Sequence, residues 1–550
     1  MRVKIKKWIS FFLAAVMLLS CAACSRAGED PYDMIPESTG GKDVTRSAAA
    51  DNVFSLNSHS RYSFDPLTAT NHANQLICSL VYENMVEVDN DFNVIEGSGV
   101  ISHWTYNDTA TLWTFYIEEG HTFHDGTPVT TRDLRYSLDR SIHSDRYSGR
   151  FNSYYGASTT DEYLQVSLGK GDTQLIKLMN IPVIKAGTAG TTDPPIGSGP
   201  YTFNEDRTAL VAYEGYPGYE DLPVDTVYIK EYQAADSIIS AFEDAYIDVV
   251  INDPSSYTNL GYASSNETHT YATTNMHYVA FNEESALGRF PYFRVAMQYA
   301  FDRDYLVELL QGNGVASPIP MYPTARDYPQ DLANGLRYDL DVCKSVLENA
   351  GIRDYDADDL LEYMSGSPQD IRIKFIVSSD SSAKAGVANR FAEDMASIGI
   401  TVNVVELTWD DYIEALEKGD FDMYYGEVKL RNNFDLTELF MEHDKKRDED
   451  GLPRLDLNYT GSNDITAQQY INDYLAASDM NRALVYLQLC QYLTGSTGSL
   501  ITIGFERQQI ITHRGVIRGI DANAGNPLYN FQNWVIDLSQ DVPVQPDEEE

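Results

Sequence analysis

Residues Ile371–Tyr425 read IRIKFIVSSDSSAKAGVANRFAEDMASIGITVNVVELTWDDYIEALEKGDFDMYY. Ile371–Val377 predicts a strand and Ala383–Ile398 a helix stopped by Gly399. Thr401–Glu406 predicts a second strand, Trp409–Lys418 a helix stopped by Gly419, and Phe421–Tyr425 a third strand. Glycine ends helices because it adopts the left-handed conformation without steric cost. This β-α-β-α-β series implies an α/β lobe with a mostly parallel sheet. Ligands in such sheets sit beyond the carboxyl ends of the strands. The last strand runs into Gly426-Glu427-Val428-Lys429, which makes that corner a candidate binding site.

The same alternation extends in both directions. Toward the amino terminus, Arg294–Leu310 has the apolar spacing of two helices joined around Phe301-Asp302-Arg303, and Asp341–Ala350 is a helix closed by Gly351. Val224–Glu231, Ala234–Ala245 and Ile247–Ile251 read as strand, helix and buried strand. Leu112–Ile117 is a strand, Gly120–Gly126 a turn-rich return, and Thr131 starts a helix with Thr130 or Thr131 as its cap. Tandem repeats and heptads are absent from the sequence.

The chain has 550 residues, which at roughly 150 per domain predicts three or four domain-sized units. With 43% hydrophobic and 12% aromatic residues, it can build a large core. Forty cationic residues stand against 82 acidic ones, for a net charge of −42. Nucleic acid and anionic lipid surfaces would repel such a molecule, so nucleic-acid binding is excluded as a function.

Arg2, Lys4, Lys6 and Lys7 precede the apolar run Trp8–Leu19, and small residues follow. That order is a secretion signal. Leu18-Leu19-Ser20-Cys21 resembles a bacterial lipobox, whose cysteine is lipidated; the overlapping Cys24 is a less typical match. Cleavage after residue 20 removes four cations and no acid, so −42 becomes −46. Residues 21–49 read as a tether and 539–550 as an acidic tail. Cys78, Cys343 and Cys490 are far apart and lack C-x-x-C spacing, which suits buried apolar residues or at most one disulfide.

Separated segments carry a resemblance. Phe64-Asp65-Pro66-Leu67, Val81-Tyr82-Glu83-Asn84-Met85-Val86, and Thr111–Ile117 followed by Phe123-His124-Asp125-Gly126-Thr127-Pro128-Val129-Thr130 occur in that order. Pro195-Ile196-Gly197-Ser198-Gly199-Pro200-Tyr201, Ala280-Phe281-Asn282 with Phe293–Arg303, and Asn458–Asn463 follow. Together they resemble the extracellular solute-binding proteins of the large-peptide and nickel transporter class, family 5, across about residues 53–537. The resemblance implies a two-lobed periplasmic-binding-protein type II (class C) α/β fold with an extra subdomain on lobe one. Lobe one would comprise 50–75, 190–278 and 505–538; the subdomain 76–189; lobe two 279–504; the signal 1–20.

By the same resemblance the protein is a lipid-anchored monomer at the extracytoplasmic face of the cell membrane. It would bind oligopeptides for the permease subunits of an ABC transporter, without cofactor, metal or catalysis. A metal chelate, opine or oligosaccharide as solute, or a peptide sensor or chaperone role, keeps the same fold. No H-E-x-x-H, G-x-S-x-G or Walker loop occurs, and Asp125-Gly126 makes His124 part of a turn.

Asn71, His72, Tyr82 and Asn84 are implied to line the first lobe near the hinge. Trp409 on lobe two is expected either to stack on ligand or to pack in the core. In peptide-binding relatives the corner equivalent to residues 426–436 carries an Asp that pairs with the peptide amino terminus, and an ungapped count places Arg431 there. Asp435 or Glu427 could then supply the acid; otherwise Arg431 holds an anionic group, or it faces solvent with Lys429.

Overall fold

The computed structural model describes residues 53–190, 194–253, 266–449, 454–523 and 525–538. The signal, Cys21, Cys24, the tether and the acidic tail lie outside them.

Within the described residues, eleven strands join into one sheet. In chain order they are β1 (Ser55–Ser58), β2 (Tyr201–Phe203), β3 (Ala209–Ala212), β4 (Thr226–Glu231), β5 (Val249–Asn252), β6 (Glu267–Phe281), β7 (Gly314–Ala316), β8 (Arg372–Ser378), β9 (Thr401–Leu407), β10 (Met423–Lys429) and β11 (Leu500–Thr512). Their spatial order is β9–β8–β10–β6–β11–β5–β1–β4–β3–β2, with β7 added on β11.

The helices between strands act as predicted. Helix Ser382–Ser397, capped by Ser381, carries the chain from β8 to a parallel β9. Helix Trp409–Lys418, capped by Thr408 and closed by Gly419 in the left-handed conformation, leads to β10, again parallel to β8. At the other end β1 is parallel to both β4 and β5. The expectation of a mostly parallel sheet fails at one edge, where β3 is antiparallel to β4 and β2, and in the middle. There β6 is antiparallel to β10 and β11, and β11 is antiparallel to β5. These long strands are passages between the two halves of the sheet, and they run past each other head to tail.

Lobe two is built on β9–β8–β10 and the adjoining ends of β6 and β11. Alternation along these strands sends side chains into two cores. Tyr278, Ala280 and Tyr424 pack on one face with Tyr412 and Leu416. Val279, Phe281, Met423 and Tyr425 pack on the other with Phe293, Phe375 and Phe391. Burial on both faces explains why Met423-Tyr424-Tyr425 reads as an unbroken apolar run.

Lobe one is built on β5–β1–β4–β3–β2. Its core is continuous with that of a second, antiparallel sheet, ordered Ile101–Tyr106, Leu112–Ile117, Tyr163–Leu168, Tyr154–Thr159. Helix Thr131–Ser141 packs on this sheet, and Asp133 reaches back to accept from the Thr130 N–H at 2.9 Å.

The quoted motifs hold this framework together. Gly199 lies so close to Val81 that a Cβ there would sit 2.5 Å from the Val81 carbonyl carbon. The Tyr82 hydroxyl donates to the Pro195 carbonyl at 2.8 Å. Arg303 is buried and donates from Nε to Thr502 at 2.8 Å and from its other nitrogens to Leu336 and Gln298. Burial pushes the His124 ring down to about 4, and its Nε2 rests 3.0 Å from the Gly199 carbonyl. His121 turns instead to Glu83 at 2.8 Å, so the two rings do not converge on one site. Cys78, Cys343 and Cys490 are free and buried.

The passage strands contain an irregularity. Ala272 is opposite Arg507 and Met276 is opposite Phe505, so Thr273-Thr274-Asn275 together face Glu506 alone. Such a bulge bends its strand and sharpens the local twist. Thr273 Oγ1 donates to the Glu506 carbonyl at 2.8 Å, and Asn275 Nδ2 to the Glu506 carboxylate at 3.0 Å.

Candidate functional site

Two adjoining chambers open between the lobes, of about 270 and 110 Å3. Both include Arg146, Tyr147, Lys429 and Gln508 in their walls, so they form one cleft. Arg146, Tyr147 and Arg150 come from the segment after helix Thr131–Ser141. Lys429 ends β10, and Arg431 and Asp435 follow it. The floor of the larger chamber includes Thr273, Thr274 and Asn275, the bulge itself. A wider hollow of about 430 Å3, lined by Glu83, Glu87, Glu118 and His121, is walled without any residue of lobe two, so lobe closure cannot trap a solute there.

Three of the residues expected on lobe one, His72, Tyr82 and Asn84, line the smaller chamber. Asn71 does not; its side chain caps helix His72–Val81, accepting from Ala73 at 3.0 Å and Asn74 at 3.2 Å. Asn84 is also engaged, donating to Glu87 at 3.0 Å. The corner after β10 does reach the larger chamber through Arg431 and Asp435. Glu427 does not line it: its carboxylate pairs with Lys384 at 2.9 Å, two residues before Lys429 on the same strand face. Trp409 is neither in the core nor in the cleft. It is 57% exposed, because the first position of its helix points away from the sheet.

Arg431 is not a free fork either. It is 8% exposed, and its guanidinium donates to Asp435 at 2.6 Å and to Glu438. The expectation that Arg431 faces solvent or offers itself to an anion is therefore corrected: two carboxylates already occupy it.

The cations left over are Arg146, Arg150 and Lys429, none of which makes an ion pair among the described residues. The Arg146 and Arg150 guanidinium carbons lie 5.0 and 4.7 Å from the centre of the Tyr147 ring. Arg146 donates to the Pro66 carbonyl at 3.0 Å and Arg150 to the Asn180 carbonyl at 3.1 Å. Enclosure between the cleft walls, and then the charges of Arg150 and Arg146, push the Lys429 ammonium, which still reaches the open chamber, down to about 8. Burial pushes Arg150 down to about 10. The His72 imidazole is lowered by burial and then by Lys429. Of this trio only Lys429 is marked by its place in the chain, in the corner after the last strand; Arg146 and Arg150 are not. The available signal was Arg146-Tyr147-Ser148-Gly149-Arg150, two arginines bracketing a tyrosine in a chain with twice as many acids as bases.

Contacts across the cleft hold the lobes together beside the chambers. Asn433 Nδ2 donates to the buried Asp172 carboxyl at 3.2 Å, and the Thr173 N–H donates to the Leu475 carbonyl at 2.9 Å. Phe92, on the hairpin Glu87–Ile95, stands edge-on to Phe434 at 5.1 Å and to Tyr322 at 5.4 Å. Burial, opposed by the Gln174 N–H and reinforced by Asp435, pushes the Asp172 carboxyl up to about 7.

His277, Glu427 and Glu506 each bring one atom within 4.8 Å of the others, a spacing that a metal could use. His277 spends both nitrogens on protein groups, on Tyr425 OH at 3.0 Å and on Glu506 at 2.7 Å. His277 and Glu506 thus belong to a hydrogen-bond network with Tyr425, while Glu427 is paired with Lys384.

A two-lobed fold, a cleft between the lobes and a hinge in its floor are the parts of a solute receptor. The model for bacterial extracellular solute-binding proteins, family 5 (middle), matches residues 98–436. The chain belongs to this family. The heme-binding protein A of Haemophilus influenzae is 23% identical over 385 residues, covering 62% of this chain and 67% of that protein. The oligopeptide-binding protein AppA of Bacillus subtilis is 22% identical over 506 residues, covering 86% and 89%. Its solved structure, in complex with a nonapeptide, covers 88% of this chain and 99% of that one with a TM-score of 0.58 and 20% identity. NikZ of Campylobacter jejuni, solved with Ni(L-His), covers 88% and 99% with a TM-score of 0.62 and 14% identity. The family 5 architecture, a two-lobed type II α/β fold, is thus shared across receptors whose solutes differ widely.

Proposed function

We propose that this family 5 protein is the substrate-binding component of an ABC importer, capturing oligopeptides between its lobes and delivering them to the membrane permease. The observation that carries the reading is the cleft: both lobes wall it, and the bulged passage strand forms its floor. Closing the lobes over a solute strips water from polar groups on both sides, and those groups must find partners on the solute. The permease would read the closed population, which solute binding enriches. The role is binding, and the protein carries out no catalysis. A lipid on Cys21 would hold the monomer at the extracytoplasmic face, buried methylenes contributing roughly 0.8 kcal/mol each.

Two measurements test this. Native protein purified gently should release peptides in a mass spectrum, and a peptide mixture should raise its melting temperature and compact it in solution scattering. Recovery of a non-peptide solute alone, with no response to peptides, would overturn peptide specificity. Metabolic labelling with a fatty-acid analogue should mark the protein and fail to mark Cys21→Ser.

A further inference from the structure

We propose that the cleft seats an oxyanion of its solute, a carboxylate or a phosphate, among Arg146, Arg150 and Lys429. The inference rests on the receptor reading and adds to it the chemistry of the group that is recognised.

These cations come from opposite walls of the cleft. Arg146 and Arg150 belong to the first lobe's side of the cleft, Lys429 to the end of β10 in lobe two, yet all three line the larger chamber. Closure therefore brings like charges toward each other in a space that is losing water. Unscreened, such an arrangement opposes closure, because repulsion strengthens as the local dielectric falls. An anion placed between the lobes reverses the sign: it is attracted to both walls at once and holds them together.

Nothing already in the chamber does this. Asp435 and Glu438 are spent on Arg431. Asp145 also lines the chamber, but it makes no ion pair with the three cations. His72 faces Lys429 from the smaller chamber and supplies no negative charge. The trio is also out of character for the chain, which carries 82 acidic residues against 40 basic ones. Its geometry suits an oxyanion. The two guanidinium groups rest against one Tyr147 ring, and an arginine fork matches the spacing of carboxylate or phosphate oxygens. Lys429 adds a point charge from the opposite wall.

The depressed Lys429 ammonium, at about 8, gives the proposal a readout. A bound anion favours the charged ammonium, so seating one at pH 8 should draw a proton from solution.

The test uses the processed full-length protein at pH 8 and constant ionic strength. Calorimetric titrations employ tri-alanine, tri-alanine amide, citrate and inorganic phosphate, each in two buffers of different ionisation enthalpy. We expect tri-alanine to bind at least tenfold more tightly than its amide, with proton uptake that Lys429→Gln abolishes and Lys429→Arg leaves without loss of affinity. Arg146→Gln should weaken the same probes tenfold, and the melting temperature of each variant without ligand checks its folding. Binding of citrate or phosphate but not tri-alanine would assign the oxyanion to a non-peptide solute. Equal affinity for acid and amide, without proton uptake, would overturn the oxyanion seat and leave the receptor reading standing. No response to any probe or to a peptide mixture would overturn both.

Discussion

Glu506 on β11 and His277 on β6 meet at 2.7 Å, and neither is reached by solvent. The other Glu506 oxygen accepts from Asn275 in the bulge, and the other His277 nitrogen lies on the Tyr425 hydroxyl of β10. Three strands are thus tied at the point where the sheet passes from one lobe to the other. Burying these polar groups is costly, so the network holds only while every member keeps its partner.

Glu506→Ala should therefore cost about 3–5 kcal/mol, since it orphans His277 and Asn275 together. Glu506→Gln keeps the shape and should cost less, about 1–2 kcal/mol. Denaturant unfolding measures both. Losses no larger than those of an exposed substitution would mean that the pair does not hold the hinge.

Stability should fall as pH rises from 6.5 to 7.5. Asp172 is pushed from its ordinary 3.8 up to about 7, and Glu87 from 4.5 up to about 7, in each case by burial first. A carboxyl that is harder to ionise in the folded form stabilises that form most below its ordinary range, and the advantage is lost as pH passes through about 7. The slope is at most about 1.4 kcal/mol per pH unit for each group. His124, held near 4, acts in the opposite direction only below its ordinary 6.5, and Lys429 and Lys177, each lowered to about 8, do so only above about 7.5. Asp172→Asn should flatten the decline in melting temperature over this window. An unchanged slope would show that Asp172 ionises freely.

Arg431→Ala should destabilise the protein by about 1–3 kcal/mol, because Asp435 and Glu438 then face each other without their shared cation. The double variant with Asp435→Asn should lose less than the sum of the two single changes, with a coupling above about 1 kcal/mol. Additive losses would place Arg431 outside the network.

Gly199→Ala should cost about 1–3 kcal/mol, as the new methyl meets the Val81 backbone, which cannot swing aside. Gly335→Ala provides the contrast. It lies at the end of helix Gln330–Gly335 with open space at its Cβ, and should be neutral or slightly stabilising.

The sequence was most legible where local rules decide the outcome. Ser382–Ser397 and Trp409–Lys418 follow from apolar spacing closed by Gly399 and Gly419, and tertiary packing had nothing to override. The quoted motifs were equally readable, because residues such as Arg303 and Gly199 meet backbone that any chain of this fold must supply. The direction of β6 and β11 was not readable, since strand pairing across more than 200 residues leaves no local trace. The cleft was legible in part. Tyr82, Arg431 and Asp435 could be placed by motif and count, but Arg431 reads as a lone cation until Glu438, seven residues on, is seen folded against it. Arg146, Arg150 and Lys429 gain their meaning from an approach between lobes that no spacing along the chain records.

The bulge at Thr273-Asn275 is both part of the wall of the cleft and an irregularity in the strand that passes between the lobes. A solute touching it would press on backbone that continues from one lobe into the other. Recognition and closure would be coupled at those positions, so a substitution there should alter both. Lys429 pairs with Asn275 of the bulge across β6 and β10, whereas Arg146 stands on the other wall, away from it. Diversification of such a receptor toward new solutes should therefore run through wall positions such as Arg146, leaving the bulge as the slowly changing part of an otherwise replaceable pocket.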